Sequence, residues 1–257
     1  MRIAPRAASA ASLAECVALA RRAEALGLDW LGVAERFDAR GGVPDAFSLC
    51  AAFGAATERV RIATAALPLP LHHPLRVAET AATIDGLSGG RLELGVGLGA
   101  AETPFASFGL EVDERAERFA EALMILRAAW SDAPVTFRGK HFACEGVRVY
   151  PKPVQSGGPP LWLAASAPAA QRRAAQLGVG VMLPADADPA PYLEECARVP
   201  GAAPRVALLA SAVATLAALE AALARCVGAR EVTCALDATC EAELERAAEF
   251  AARLRNP

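Results

Sequence analysis

The chain has 257 residues, 54% of them hydrophobic, and a formal net charge of -3. It contains no uninterrupted apolar stretch of about 18 residues, no Lys/Arg run and no basic-aromatic stripe, which argues against membrane spans and nucleic acid and for a globular protein with a small-molecule ligand. Its seven cysteines are odd in number and form no C-x-x-C pair, so they read as buried small hydrophobes rather than zinc or redox sites.

The N-terminal MRIAPRAASAASLAE has no apolar core before Ser12. No secretory signal is therefore expected, and the expected location is cytoplasmic. A short strand, RIAP, opens the chain. Ser12-x-x-Glu15 then forms a capping box ahead of Leu13, Val17, Ala20 and Leu26 at helical spacing, with Gly27 as the terminating residue. DWLGVA follows as a strand. The alternation repeats with a helix near 45–57, the strand VRIATAA and a helix opened by Pro74 that ends near Leu87. The strand RLELGVG is next, then a helix from Asp113 with Phe119, Leu123, Leu126 and Trp130 on one face. Segment 132–158 reads as an inserted hairpin turning at Gly139-Lys140, a candidate lid or pocket wall. Beyond it come PLWLAA, a helix with Pro168 in its first turn and Gly178 at its end, GVGVML, and a helix opened by Asp188-Pro189. RVALLASAV, an Ala/Leu helix at 215–226, EVTCALD and a Thr239-capped last helix complete the chain.

Strands rich in Val, Leu, Ile and Ala, each separated from the next by one helix, imply a parallel sheet covered by helices. Eight such units favour one closed (β/α)8 TIM barrel domain over 1–257, with the hairpin before the fifth barrel strand. An open doubly wound sheet is the alternative. In a barrel the site lies at the C-terminal ends of the strands.

Two motif matches are discounted on context. Gly86-Leu87-Ser88-Gly89-Gly90 satisfies G-x-S-x-G, but it ends a helix and begins a strand, the reverse of a nucleophile elbow. Gly95-x-Gly97-x-x-Ala100 follows a strand, but no helix begins after it to hold a pyrophosphate. Adjacent His72 and His73 on an extended strand would point to opposite faces, poor geometry for one metal, and no third ligand cluster accompanies them. No metal is expected. His73 reads as a residue at the start of the Pro74 helix, and His72 as exposed or packed in the loop.

The blocks VRIATAALPLPLHHPLRVAETAATIDGLSGGRLELGVGLG, FASFGLEVDERAERFAEAL, FRGKHF, VRVYPKPVQ and PPLWLAASAPAAQRRAAQLG, in this order, resemble the bacterial luciferase-like family of flavin- or deazaflavin-dependent oxidoreductases. The resemblance spans roughly residues 28 to 185 and implies the same barrel fold. It also implies that the cofactor ring lies across the barrel mouth against a non-proline cis peptide in a bulge at the third strand end, which falls at Ala65-Ala66. Thr64 precedes it as a hydrogen-bonding candidate. Cofactor-binding positions implied at the fourth and fifth strand ends are Gly97, Leu98, Gly99, Ala165 and Ser166, the last two beside a helix start that offers free N–H groups. Luciferase itself has an arginine where Leu98 stands, so one phosphate-pairing charge is missing.

Where family members often carry a histidine after the second strand, this chain reads Glu35-Arg36-Phe37. Arginine stays protonated and cannot act as a base, but it can hold an anion. Glu35 either pairs with Arg36 or accepts a proton, and a purely structural ion pair is the other reading of both. The resemblance implies an enzyme that uses reduced FMN, supplied by a flavin reductase or NAD(P)H, and oxygen on a small organic substrate. The alternatives are F420-dependent hydride transfer on the same scaffold and a non-catalytic flavin-binding paralogue. A homodimer is implied as well. Substrate specificity belongs to the loops near 36–44, 98–112 and 184–189.

Overall fold

The computed structural model describes residues 2–4, 13–37, 44–99, 103–210, 216–237 and 241–255. The first half of the chain runs β1 (Arg2–Ala4), α1 (Leu13–Ala25), β2 (Trp30–Val33), α2 (Ala46–Ala56), β3 (Arg61–Pro68), α3 (Pro74–Leu87), β4 (Leu92–Gly97) and α4 (Arg115–Ala129). An antiparallel pair, β5 (Val135–Arg138) and β6 (Ala143–Val147), intervenes. The second half runs β7 (Leu161–Ala164), α5 (Pro168–Gln176), β8 (Gly180–Pro184), α6 (Ala190–Arg198), β9 (Arg205–Ala210), α7 (Leu216–Ala224), β10 (Glu231–Asp237) and α8 (Glu241–Arg255).

Eight parallel strands close into a barrel in the order β1-β10-β9-β8-β7-β4-β3-β2. The short first strand completes the circle, with Arg2 opposite Ala235 and Ile3 opposite Leu31. The closed barrel is therefore the outcome, not the open sheet. The capping residues Ser12 and Thr239 lie outside the described residues. Asp188 does open α6, its Oδ1 accepting the Ala190 N–H at 3.0 Å.

The barrel interior is graded in size. At the N-terminal end of the strands Glu93, almost fully buried, accepts from Trp30 Nε1 at 2.8 Å and pairs with Arg61, while the Arg205 guanidinium stacks over Trp162 at 4.8 Å. Gly180 is glycine for this reason: a Cβ there would stand 2.4 Å from the Trp162 ring. Above this plug the lining shrinks to Ala63, Met182, Ala207 and Ala235, with Ala66, Gly97 and Ala164 towards three of the strand ends and Pro184 and Leu209 towards two others. Between strands and helices an outer core with Phe53, Ile62, Ile84, Leu92 and Phe119 supplies most of the apolar burial.

The inserted hairpin turns at 139–142, as expected, and lies along α4. The Glu121 carboxylate accepts the backbone N–H groups of Lys140, His141 and Phe142 at 2.7 to 3.0 Å. Phe142 at its tip packs on His73 and under Arg118. These contacts fasten it to the outer layer.

Candidate active site

The sequence expectation ends the third strand at Ala66, before the prolines. The strand continues instead through Leu67 and Pro68, because a bulge resets its register. Thr64 pairs with Leu94 and Leu67 with Val96, so Ala65 and Ala66 together oppose Gly95. The Ala65–Ala66 peptide is cis. Thr64 is fully buried, and its hydroxyl donates to the Gly95 carbonyl at 2.7 Å, which places it beneath the bulge as support. A Cβ on Gly95 would stand 2.1 Å from the Thr64 carbonyl oxygen, so only glycine lets the two backbones approach this closely.

Two residues on, Gly97 is different. A Cβ there would meet Ala164 Cβ at 3.5 Å and Ala66 Cβ at 4.0 Å, ordinary contact distances with nothing closer. Ala66, Gly97 and Ala164 thus converge from three strands onto one floor at the mouth, and Ala164 and Pro184 are exposed there. No side chain on this floor is larger than a methyl group. A planar ring can lie against it with its face on backbone and methyls.

Glu35 and His72 meet beside the floor. Glu35 sits just past β2 and its backbone N–H reaches the Ala66 carbonyl at 3.4 Å. Its side chain is 5% exposed, and His72 Nε2 lies 2.7 Å from Oε1. With the carboxylate ionised, Nε2–H donates and Nδ1 is the acceptor of the neutral ring. His72 also packs edge-on against Phe47. The sequence reading of His72 as a loop residue missed this contact, since the partner lies 37 residues away. His73 turns elsewhere, edge-on to Phe142 at 5.5 Å, and burial together with the Arg118 charge holds its pKa below the usual imidazole value. Arg36 is exposed and has an interaction partner of its own.

The rim is built from βα loops. Gly99, at φ +86°, leaves room for the buried Phe105, whose ring a Cβ would meet at 2.9 Å. Leu98 is half-buried and packs against the outer core. Across the mouth Ala165 is buried, its N–H donating to the Met182 carbonyl at 3.0 Å, and Ser166 is exposed just before α5. Gln171 of α5, nearly fully buried, donates to the carbonyls of Ser166 at 3.4 Å and Asp188 at 3.0 Å, tying two rim loops together. Ser88 lies remote from all of these. It is buried, donates to Asp85 and accepts from Arg91, a helix-end role.

The sequence candidates therefore divide. Ala65, Ala66, Gly97 and Glu35 come together at the floor. Leu98, Gly99, Ala165 and Ser166 form the rim around it, and Thr64 lies below. Among the described residues no cluster of three or more His, Cys, Asp or Glu is arranged to hold a metal, and no helix is long and apolar enough to cross a membrane.

The model of the luciferase-like monooxygenase family matches residues 1–254. The chain belongs to that family. This luciferase-like chain is 34% identical over 175 residues to protein y4wF of Sinorhizobium fredii, and 36% identical over 159 residues to the F420-dependent glucose-6-phosphate dehydrogenase of Microbacterium testaceum. These matches take in 68% and 60% of the chain but 51% and 46% of the relatives, so it spans about half the length of the curated proteins it matches. Among solved structures, the monooxygenase RslO1 from Streptomyces bottropensis superposes with a TM-score of 0.80 at 22% identity, covering 98% of this chain and 97% of that one. An F420-dependent secondary alcohol dehydrogenase in complex with an F420-acetone adduct superposes at 0.70 and 22%, covering 98% and 90%. Both likenesses describe the barrel of the luciferase-like fold.

Proposed function

We propose that this chain is an oxidoreductase that moves a hydride between a deazaflavin of the F420 type and a small alcohol or carbonyl substrate. The observation that carries the reading is the Glu35–His72 couple fastened to the β3 bulge at the edge of a flat floor of small residues. Hydride transfer at an alcohol carbon must be matched by removal of the hydroxyl proton, and a carboxylate–imidazole pair beside the floor, its carboxylate buried and its imidazole partly exposed, is suited to take it.

The residues present fit a planar cofactor. Ala65, Ala66, Gly97 and Ala164 would carry its ring. The Ser166 hydroxyl and the start of the nine-residue helix α5 offer donors for an anionic tail. When bound, such a cofactor supplies the hydride acceptor or donor. The protein does the rest. His72 receives the substrate proton at Nδ1, and the Glu35 carboxylate holds the ring in that tautomer and stabilises the imidazolium.

The 32–36% identical F420-dependent glucose-6-phosphate dehydrogenases support this choice of cofactor class. Reduced-FMN monooxygenation is the second reading. It uses the same floor, but at the β4 end, where luciferase has an arginine, Leu98 packs on the core. A flavin reductase partner belongs to that reading alone, whereas a homodimer is compatible with both.

Anaerobic titration with F420, FMN and reduced FMN, followed by absorbance, tests the proposal. F420 is expected to bind and to be reduced by members of an alcohol panel without oxygen. Tight binding of reduced FMN with oxygen-dependent turnover would select the second reading. Cofactor binding with no turnover on any substrate would leave a binding protein, and binding of none would overturn the site.

A further inference from the structure

An aromatic pair joins the loops that follow β2 and β4. Phe37 and Phe108 meet edge to face with ring centroids 5.0 Å apart, yet each remains more than two-fifths exposed. Phe37 comes from the loop after β2 and Phe108 from the loop after β4, and these strands flank β3 on its two sides. The contact therefore bridges the strand whose end carries Ala65 and Ala66.

Phe108 sits in a hydrogen-bonded turn. It ends a short 3-10 turn, Phe105–Phe108, whose first residue is buried beneath Gly99. The Leu110 N–H closes back on the Phe105 carbonyl at 3.1 Å, and Gly109 reverses the chain with a φ of +69°. The turn buries one phenylalanine as an anchor and leaves the other exposed. Two large rings kept in water in this way have apolar faces available for a ligand.

The remaining chemistry of the mouth agrees. Its floor is methyl and backbone, with Leu209 and Pro184 on the far side and Asp186 exposed beside them.

Resting on the hydride-transfer reading for its reaction, we infer that the Phe37–Phe108 pair is the substrate-binding lip and that the part of the substrate it holds is neutral and apolar. The occupant is a ring or chain of hydrocarbon character held between the two phenylalanines and the floor.

The test uses 2-naphthol and glucose 6-phosphate as probes, measured by calorimetry on the protein alone and with F420 present. 2-Naphthol is expected to bind and glucose 6-phosphate not to compete with it. The F37A/F108A double variant is expected to lose about tenfold or more in 2-naphthol affinity while its F420 affinity and melting temperature stay near those of the parent. F37L/F108L, which keeps apolar bulk, should recover part of the loss. Unchanged 2-naphthol affinity in the double variant would overturn the inference, as would glucose 6-phosphate binding as tightly as 2-naphthol. Sedimentation adds a third outcome against it: a dimer that falls apart when the phenylalanines are removed would show that a second copy covers the lip. Failure of F420 to bind while 2-naphthol is still captured would count against the hydride-transfer reading and leave the lip standing.

Discussion

The contrast between Gly95 and Gly97 gives a direct test of the cofactor floor, because the two glycines on β4 are glycine for different reasons. A methyl on Gly97 would rest 3.5 Å from Ala164 and 4.0 Å from Ala66, and Gly97 has no positive φ, so Gly97→Ala costs the free protein little. Restricting the unfolded chain even favours the variant by about 0.4–1 kcal/mol, a shift of a few degrees at most in melting temperature. The same methyl projects from the floor into the space a planar ring would occupy. Overpacking of this kind costs about 1–3 kcal/mol, or roughly 5- to 150-fold in affinity. Gly95→Ala reverses the pattern: its Cβ would collide with the Thr64 carbonyl at 2.1 Å, so destabilisation of about 1–3 kcal/mol or more is expected at the fold itself. Thermal melts and F420 and FMN titrations of both variants are the assay. A Gly97→Ala protein that binds both cofactors as well as the parent would refute the floor. One that melts well below the parent would refute the packing behind it.

Glu35→Gln and His72→Asn should each lower turnover by about 10²–10⁴-fold with cofactor affinity nearly unchanged, measured as kcat and cofactor Kd separately. A loss confined to KM would point to substrate positioning instead of proton transfer. Glu24 ties α1 to the turn before β3, its carboxylate accepting the N–H groups of Glu58, Arg59 and Val60 at 2.6 to 3.1 Å. Burial pushes its pKa up, but those donors outweigh burial and hold it below the usual carboxylate value. Its stabilisation is therefore present above the unfolded value of about 4.3 and fades as pH falls through the folded one. Glu24→Gln should cost about 1–2 kcal/mol in urea melts at pH 7 and progressively less toward pH 3. A penalty that does not change with pH would contradict this account. Arg91 donates to the carbonyls of Gly54, Thr57, Val60 and Ser88 and to the Thr57 hydroxyl. Arg91→Ala strands these acceptors and should destabilise by about 2–4 kcal/mol. Lysine, lacking the planar fork, should recover only part of this, as urea melts can show.

Much of the architecture was legible from local pattern. Runs of Val, Leu, Ile and Ala alternating with capped helices favour a parallel sheet covered by helices, so element order and an inserted hairpin turning at Gly139-Lys140 follow from spacing. The family blocks added the place of the bulge at Ala65-Ala66. Barrel closure was less legible, because β1 has only three residues and its partners lie at both ends of the chain.

What the tertiary structure alone decided is which side chains meet. Glu35 and His72 are 37 residues apart and sit on different loops; neither has a neighbour in sequence that announces the other. The pairing arises because β2 and β3 are adjacent in the barrel and the bulge lets β3 run on past Ala66, bringing the His72 turn back over the end of β2. The same is true of Phe37 and Phe108, which meet only because β2 and β4 flank β3. Gly95 and Gly97 look alike in sequence, and the backbone of the neighbouring strand makes the first a packing necessity and the second an open floor. Short-range periodicity sets the elements, whereas the roles of residues at the mouth depend on strand order and on one extra residue in β3.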